Sequence, residues 1–247
     1  MENKVIVVTG AAGGIGRPSV QALKREGAAV VGVDLHFAHD TGADSFVACD
    51  LTDEAQVRDL YSAVADRFGR IDGLFNNAGV ALQSDGSVLQ EDQMVFERTL
   101  QLNVTTVLLC CKYGIPYLVA AGGGAVVNTA SAVATVGSAI SQIGYTASKG
   151  AVVAMSREMA VEFARRGVRV NTLSPGPVRT PMLDALYAGK PDQLARRLVH
   201  VPSGQFGTPS EVAEAAVFLL SDASSLVNGV DLLTDGGISA AYVTAED

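Results

Sequence analysis

Tyr145 and Lys149 stand four residues apart, and Ser131 lies upstream of both. On a helix, residues four apart share a face, with about 5–6 Å between their Cβ atoms. A lysine ammonium held that close to a phenol favours the phenolate and lowers a tyrosine pKa that starts near about 10. A tyrosine placed in this way can take a proton from an alcohol. The spacing alone is also typical of an exposed helix face, so other motifs have to support this interpretation.

A second motif lies near the N-terminal end of the sequence. The apolar residues 5–8 run into a glycine-rich segment, 9–16, which predicts a buried strand that feeds a helix starting near Gly14. We expect the helix to hold Pro18 in its first turn and to end at Gly27, where glycine suits a left-handed cap. Free N–H groups at the start of such a helix, and the close approach that glycines permit, would suit a pyrophosphate.

Asp34 ends the next predicted strand, about 20 residues beyond the glycines, where the adenosine ribose of a dinucleotide would lie. Its carboxylate can accept hydrogen bonds from the ribose hydroxyls and would repel the 2′-phosphate of NADP. Neither Gly13, Leu35 nor His36 carries a fixed positive charge that would offset this repulsion. The predicted cofactor is therefore NAD, with NADP as the alternative. An ordinary carboxylate at a strand end is the alternative interpretation of Asp34.

Four motifs occur in an order that resembles the short-chain dehydrogenase/reductase family, including its NAD-dependent alcohol dehydrogenases and its 3-oxoacyl-acyl-carrier-protein reductases. The resemblance covers essentially the whole chain. It implies one α/β domain, residues 1–247, with a Rossmann fold: a doubly wound, seven-stranded parallel sheet with helices on both faces. Strand-like segments at 5–8, 29–33, 46–49, 71–75, 125–129, 168–173 and 230–233 agree. The motifs are Thr9 to Gly16, Asn76 to Gly79, Ser131 with Tyr145 and Lys149, and Pro175 with Gly176.

The resemblance assigns a catalytic role to four residues. It implies that Tyr145 is the general acid or base and that Ser131 orients and polarises the substrate oxygen by hydrogen bonding. Lys149 would lower the tyrosine pKa and hold the nicotinamide ribose. Asn103 would support a water-linked proton path to Lys149; a buried asparagine that braces a helix is the alternative. No histidine in the motifs suggests a hydrolase triad, and no metal site is expected.

The expected cofactor contacts follow from the resemblance and from the rule that such folds bind ligands at the carboxyl ends of their strands. Asn76 is expected to brace neighbouring strands. The connection 36–45 is short, so we expect a loop or a single helical turn there, with His36 and Phe37 in loop packing rather than against the cofactor. The expected cofactor-binding residues are Gly10, Gly14, Ile15, Gly16, Asp34, Leu35, Asp50, Leu51, Asn77, Ala78, Gly79, Tyr145, Lys149, Pro175, Gly176, Val178 and Thr180.

Residues 181–202 are expected to cover the substrate as a lid. The candidate contacts are mostly apolar, which favours a neutral, moderately hydrophobic alcohol or ketone, although a steroid, a cyclic alcohol, a sugar and a 3-oxoacyl thioester all stay open. Arg179 could serve an anionic substrate, but a solvated arginine is the favoured interpretation. The expected substrate-binding residues are Ser131, Val133, Ile140, Gln142, Met182, Leu186 and Tyr187, with Ala132 beside them.

Composition adds limits on partners and location. A formal net charge of −8 disfavours nucleic acid and anionic membrane surfaces, and no apolar run is expected to span a bilayer. Three cysteines without metal or redox spacing indicate a reducing, cytoplasmic setting. The resemblance suggests a homotetramer, with helices at about 100–120 and 146–166 packing across subunits. The main hypothesis is an oxidoreductase acting on a secondary alcohol or ketone; the alternatives are a 3-oxoacyl thioester reductase and a non-catalytic NAD(H) sensor or scaffold.

Overall fold

The structure, a computed structural model, describes residues 1–36, 41–189 and 191–240. Seven strands form one parallel sheet in the order β3-β2-β1-β4-β5-β6-β7, which confirms the predicted doubly wound architecture. Each predicted strand is present, with its ends shifted by one or two residues. The strands are β1 (Val5–Thr9), β2 (Ala29–Asp34), β3 (Ser45–Ala48), β4 (Gly73–Asn76), β5 (Gly124–Thr129), β6 (Val168–Pro175) and β7 (Asp231–Thr234).

Helices cover both faces of the sheet, because the buried strands are apolar on both sides. One face packs against α2, α4 and α5, and the other against α1 and α8. A π-helical segment, Gln101–Thr105, joins α3 to α4. The helices are α1 (Gly16–Arg25), α2 (Glu54–Phe68), α3 (Gln93–Leu100), α4 (Thr106–Ala120), α5 (Ile143–Phe163), α6 (Pro181–Leu186), α7 (Pro191–Val199) and α8 (Pro209–Leu220).

The chain reverses its direction of winding at β1, which pairs with β2 on one side and β4 on the other. Such a switch point opens a crevice at the carboxyl ends of the strands. Thr9, Asn76 and Asn128 lie side by side across β1, β4 and β5 at that edge. The Asn76 amide donates to the Asn128 side-chain oxygen at 2.8 Å, so the predicted role of Asn76 in bracing neighbouring strands is confirmed.

Helix α1 begins at Gly16, two residues later than predicted, because the glycine segment continues as a turn through Ile15. Gly27 adopts a left-handed conformation with φ of +85° after the helix ends, as predicted. Leu35, His36 and residues 41–44 are not helical, and the His36 side chain is exposed. Phe37 and the rest of 37–40 lie outside the described residues.

The stretch Gln93–Ala120 is long and apolar enough to cross a membrane by length and composition alone. The expectation that no segment would pass this test is therefore wrong. Half of its most apolar window is buried inside the fold, where α4 packs Ile115 and Leu118 against the sheet. A core helix of a globular domain has this composition because it is apolar around most of its circumference.

Candidate active site

The glycine segment forms a turn in which side chains have no room. Gly10 has φ of +64°, and a Cβ there would lie 2.9 Å from the Ala78 Cα. A Cβ on Gly16 would overlap the Gly10 carbonyl oxygen, and one on Gly14 would lie 3.0 Å from the Thr180 Cγ2. The first N–H groups of a helix have no acceptor within it, so the start of α1, at the switch point and without side chains at Gly14 and Gly16, fits the pyrophosphate of a dinucleotide.

Asp34 lies at the end of β2, beside this turn. One carboxylate oxygen accepts a hydrogen bond from the Ala12 N–H at 3.0 Å, and the other accepts from the Leu35 N–H at 2.8 Å. Each oxygen retains a lone pair, so ribose hydroxyls can still donate to it. The Leu35 side chain is 55% exposed. The geometry fits a carboxylate that binds ribose at the rim of the crevice.

The segments after β3 and β4 complete this side of the crevice. Asp50 accepts hydrogen bonds from the Thr52 N–H and hydroxyl, and Leu51 is buried. The backbone N–H groups of Asn77 and Ala78 both donate to the Thr9 hydroxyl, at 3.0 and 3.1 Å. Asn77 is thereby fixed against the glycine turn, which places the predicted adenine and ribose contacts at one edge of the sheet.

Tyr145 and Lys149 share one face of α5, as their spacing predicts. The Lys149 ammonium is buried, lies 5.6 Å from the Tyr145 ring centroid and donates to the Thr129 carbonyl at 2.8 Å. Burial lowers the pKa of Lys149 to about 8, because a charge is disfavoured away from water. At neutral pH the side chain is still mostly an ammonium.

The predicted lowering of the Tyr145 pKa is wrong for this structure. Burial raises the pKa of the phenol, and the hydrogen bond of Ser131 and the positive charge of Arg197 only partly offset that rise. Lys149 is not among the causes of this shift, because burial lowers its own pKa to about 8 and it has lost its charge before the phenol ionises. At neutral pH Tyr145 is therefore a neutral phenol, the form that can donate a proton.

Asn103 lies in the π-helical segment and is fully buried. Its side-chain oxygen accepts from the Val80 N–H at 2.8 Å, and its amide donates to the Val80 carbonyl at 2.9 Å and the Ser148 hydroxyl at 3.1 Å. These bonds tie the segment after β4 to α5, so Asn103 does brace the fold. A Cβ on Gly79 would meet both the Lys149 Nζ and the Asn103 oxygen, at 3.1 and 3.2 Å, which leaves the predicted relay open.

The segment after β6 forms the other wall of the crevice. Pro175 is the last residue of β6, and a Cβ on Gly176 would lie 2.7 Å from the Asp235 Cα. Val178 is buried and forms a bridge with Gly207. Thr180 caps α6 by accepting from the Leu183 N–H at 3.3 Å. Because a Cβ on Gly14 would touch Thr180, the segment after β6, which carries the predicted contacts Val178 and Thr180, adjoins the glycine turn.

The predicted substrate residues come from two segments, and they differ in exposure. Ser131, Ala132 and Val133 follow β5, and the Ser131 oxygen accepts from the Val133 N–H at 3.4 Å. Met182 is 46% exposed and Tyr187 is 6% exposed, and the Leu186 side chain lies outside the described residues. Ile140 and Gln142, just before α5, are partly buried. Arg179 is exposed, in keeping with a solvated arginine.

Sequence reasoning missed two residues of this region. Asp85, in the segment after β4, accepts from the Gly144 and Tyr145 N–H groups at 3.0 and 2.6 Å and so caps the first turn of α5. Arg197, on α7, donates to the Tyr187 hydroxyl at 2.8 Å. Neither residue lies in a motif. Arg197 is 10 positions from its partner Tyr187, and Asp85 is 60 positions from its partner Tyr145. Local pattern carries no signal of such a pairing.

Comparisons with known proteins show the family to which this chain is similar. Residues 10–239 match the family described as Enoyl-(Acyl carrier protein) reductase. The chain is 41% identical to D-threitol dehydrogenase of Mycolicibacterium smegmatis, over 96% of this chain and 93% of that protein. The crystal structure of levodione reductase superposes with a TM-score of 0.90 at 34% identity, over 98% and 100% of the two chains. The crystal structure of a Burkholderia xenovorans protein described as a short-chain dehydrogenase/reductase superposes with a TM-score of 0.93. The two sequences are 37% identical, and the superposition covers 98% of each chain.

Proposed function

Because this chain belongs to the short-chain dehydrogenase/reductase family, we propose that its crevice binds NAD and that Tyr145 is the acid and base of the reaction. The chain is an oxidoreductase that uses a nicotinamide cofactor and acts on secondary alcohols or ketones. One observation carries the proposal: a partly buried Tyr145 beside a buried Lys149, with Ser131 interacting with the phenol, stands next to a glycine turn open to a pyrophosphate.

Two side chains, Ser131 and Tyr145, handle the proton and the substrate oxygen. Ser131 donates a hydrogen bond to that oxygen, and the Tyr145 phenol donates its proton as a ketone is reduced; the phenolate takes the proton back when an alcohol is oxidised. Bound NAD or NADH accepts or supplies the hydride. Lys149 would hold the nicotinamide ribose, and the Asn103 relay stays a prediction. Since the Tyr145 pKa is raised, oxidation of the alcohol should increase with pH.

Asp34 supports NAD over NADP. Its carboxylate is fixed by the Ala12 and Leu35 N–H groups at the position where a 2′-phosphate would lie. Neither Leu35 nor Gly13, beside the same carboxylate, carries a positive charge that would offset its own. The two negative charges would repel each other across a few ångströms, whereas ribose hydroxyls would donate to the same oxygens.

The relatives support a secondary CH–OH or C=O group as the reacting centre. Two are named for different substrates, D-threitol and levodione, which leaves the natural substrate open. The second candidate is reduction of a 3-oxoacyl thioester carried by acyl carrier protein or coenzyme A; the matched family is described by a reductase of a different acyl thioester, an enoyl group on acyl carrier protein. A non-catalytic NAD(H) sensor or scaffold is the least supported alternative, because a sensor needs no proton donor such as Tyr145.

We further propose a homotetramer in the cytoplasm. A surface groove of about 420 Å³ runs between α4 and α5 and includes Leu108, which is 50% exposed; Val161, on α5, is 80% exposed. A second subunit would cover this apolar surface. Elution as a monomer from a sizing column would contradict the tetramer.

The proposed cytoplasmic location rests on the cysteines. Cys49, Cys110 and Cys111 are free, buried thiols, which suits a reducing compartment.

The first experiment compares wild type with Tyr145→Phe on secondary alcohols, ketones and 3-oxoacyl thioesters, following NADH absorbance. We expect turnover by wild type with NAD(H), and about 100-fold to 10,000-fold less by the variant because its proton donor is gone. NADH fluorescence serves as the control, because the variant keeps the other expected cofactor contacts and should still bind NADH. Tight NADH binding without any turnover would favour the sensor, and equal turnover by both proteins would overturn the role of Tyr145.

A further inference from the structure

A cationic side chain of the lid lies near the catalytic tyrosine. Arg197, on α7, is partly buried, and its Nη1 donates to the Tyr187 hydroxyl at 2.8 Å. Its guanidinium carbon lies 5.9 Å from the Tyr187 ring centroid. Tyr187, which follows α6, is itself 6% exposed. This pair holds the two helices of the lid together and fixes the position of the guanidinium.

Most of the hydrogen-bonding capacity of this guanidinium is unused. The Nε of Arg197 is buried and has no hydrogen-bond partner, and within 1–36, 41–189 and 191–240 neither a bond to Nη2 nor a carboxylate within 4.0 Å is found. Burying a cationic N–H without an acceptor is unfavourable. Arginine is always charged, so the protein holds an uncompensated positive charge here.

The positive charge of Arg197 acts electrostatically on the Tyr145 phenol, the proposed proton donor. Arg197 lowers the pKa of the Tyr145 phenol, against the larger effect of burial. The lid that carries Arg197 begins beside the glycine turn, where a Cβ on Gly14 would lie 3.0 Å from Thr180, and ends beside the turn after β7, where a Cβ on Gly236 would lie 2.9 Å from Val201. Arg197 therefore lies on the segment that spans this edge of the crevice. A substrate whose oxygen meets Tyr145 and Ser131 would therefore extend toward Arg197.

We propose that Arg197 is a substrate-binding residue that holds a carboxylate group carried by the substrate, a few bonds from the carbon that exchanges hydride. Because Nη1 is used by Tyr187, Nε and Nη2 are the N–H groups left without an acceptor among the described residues, and together they match the two oxygens of a carboxylate. The anion would supply both the missing acceptor and the missing charge. The inference rests on the proposed function and narrows its substrate to hydroxy acids and oxo acids.

The test uses hydroxy acids, linear and cyclic, each paired with its primary amide. The amide keeps the shape and the reacting alcohol but loses the charge. In wild type, we expect kcat/KM for the acids to exceed that for the amides by about 10-fold or more. In Arg197→Gln the ratio should fall to about one, mainly through a higher KM for the acid, since the lost contact lies away from the reacting atoms.

Two variants serve as controls. Arg196→Gln removes the same charge from the exposed neighbouring position and should keep the preference for acids. Arg197→Lys should retain part of the preference for acids, because a lysine supplies the positive charge but not the two parallel N–H groups of a guanidinium. The proposal is overturned if Arg197→Gln keeps the wild-type ratio. It is also overturned if the variant changes turnover of acids and amides equally, which would mean that Arg197 acts only through Tyr145.

A binding measurement separates this inference from the proposed function. Oxo acids are titrated into the complex of the protein with NADH, with NADH fluorescence as the signal. Weaker binding to Arg197→Gln than to wild type supports the carboxylate site even where no turnover is found; equal binding overturns it. The proposed function fails on a different result, the absence of Tyr145-dependent turnover with every alcohol and ketone.

Discussion

The two walls of the crevice are built in different ways. On the cofactor side, the backbone around Gly10 and Gly16 is so closely packed that a side chain has no space. On the substrate side, the lid is held by a side-chain pair, Arg197 with Tyr187, and the start of α5 is held by the Asp85 carboxylate. A backbone site accepts one residue type at each position, whereas a side-chain site tolerates many.

This difference has a consequence for specificity. A site formed by backbone N–H groups binds the phosphates common to all dinucleotides, so it gives the cofactor class. A site formed by individual side chains binds whatever those side chains match, as Arg197 does in the lid. Substitutions on the cofactor side should therefore affect every substrate equally, and substitutions on the substrate side should discriminate between substrates.

Gly16→Ala tests the cofactor side and should have the largest effect. The new Cβ would overlap the Gly10 carbonyl oxygen, which belongs to backbone and has little freedom to move. We expect a loss of about 3 kcal/mol in the free energy of unfolding and NADH binding weaker by about 100-fold. Urea unfolding and NADH fluorescence measure the two effects.

The matched control is Gly150→Ala, on α5, where a Cβ would meet nothing within 4 Å. Alanine in a helix interior should stabilise this variant by about 0.5–1 kcal/mol, with NADH affinity unchanged. If Gly16→Ala behaved like Gly150→Ala, the glycine turn would not depend on close backbone packing, and the contrast between the two walls would fail.

Lys149→Met tests the group at the junction of the two walls. Burial lowers the Lys149 pKa from 10.5 to about 8, so the folded chain releases this proton at a lower pH than the unfolded chain does. The unfolded state then binds more protons between those values, and stability rises with pH across that window. Below about 8 the penalty of a buried charge is fully present, and above about 10.5 it is gone.

The expected result is a difference between two proteins. The free energy of unfolding of wild type, minus that of Lys149→Met, should increase by about 3 kcal/mol as the pH rises from about 8 to 10.5. Subtracting the variant removes the contributions of the buried cysteines, whose pKa values burial raises above this range, so that they ionise within it only in the unfolded chain. Urea unfolding at a series of pH values measures it, and a constant difference would mean that Lys149 is not buried as a cation.

The same contrast explains what the sequence could predict. Steric rules placed Gly10, Gly14 and Gly16 at a turn, and apolar runs located seven strands, because each depends on neighbouring residues. The roles of Asp85 and Arg197 depend on segments far apart in sequence. The Tyr145 pKa rises where the sequence predicts a fall, because the spacing from Lys149 contains no information about burial, which raises the pKa of the phenol and lowers that of the lysine.

Asp34→Ala sharpens the comparison at the rim of the cofactor side, where a side chain replaces the backbone as the binding group. Removing the carboxylate should raise the affinity for NADPH relative to NADH by about 10-fold. NADPH gains because its 2′-phosphate is no longer repelled, and NADH loses the hydrogen bonds from its ribose hydroxyls to Asp34. Equilibrium titration of both cofactors by fluorescence measures the ratio. An unchanged ratio, or a wild type that prefers NADPH, would contradict the assignment of Asp34.

Asp85→Ala has the smallest expected effect and tests the substrate side. The variant loses the acceptor for the Gly144 and Tyr145 N–H groups, which should reduce the free energy of unfolding by about 1 kcal/mol. Because one of those groups belongs to Tyr145, we also expect kcat to fall by about 10-fold with NADH affinity unchanged. Asp92→Ala is the control, since Asp92 caps α3 through the Met94 N–H at 2.8 Å. It should lose similar stability and keep its kcat; if both variants keep kcat, Asp85 stabilises α5 without positioning the tyrosine.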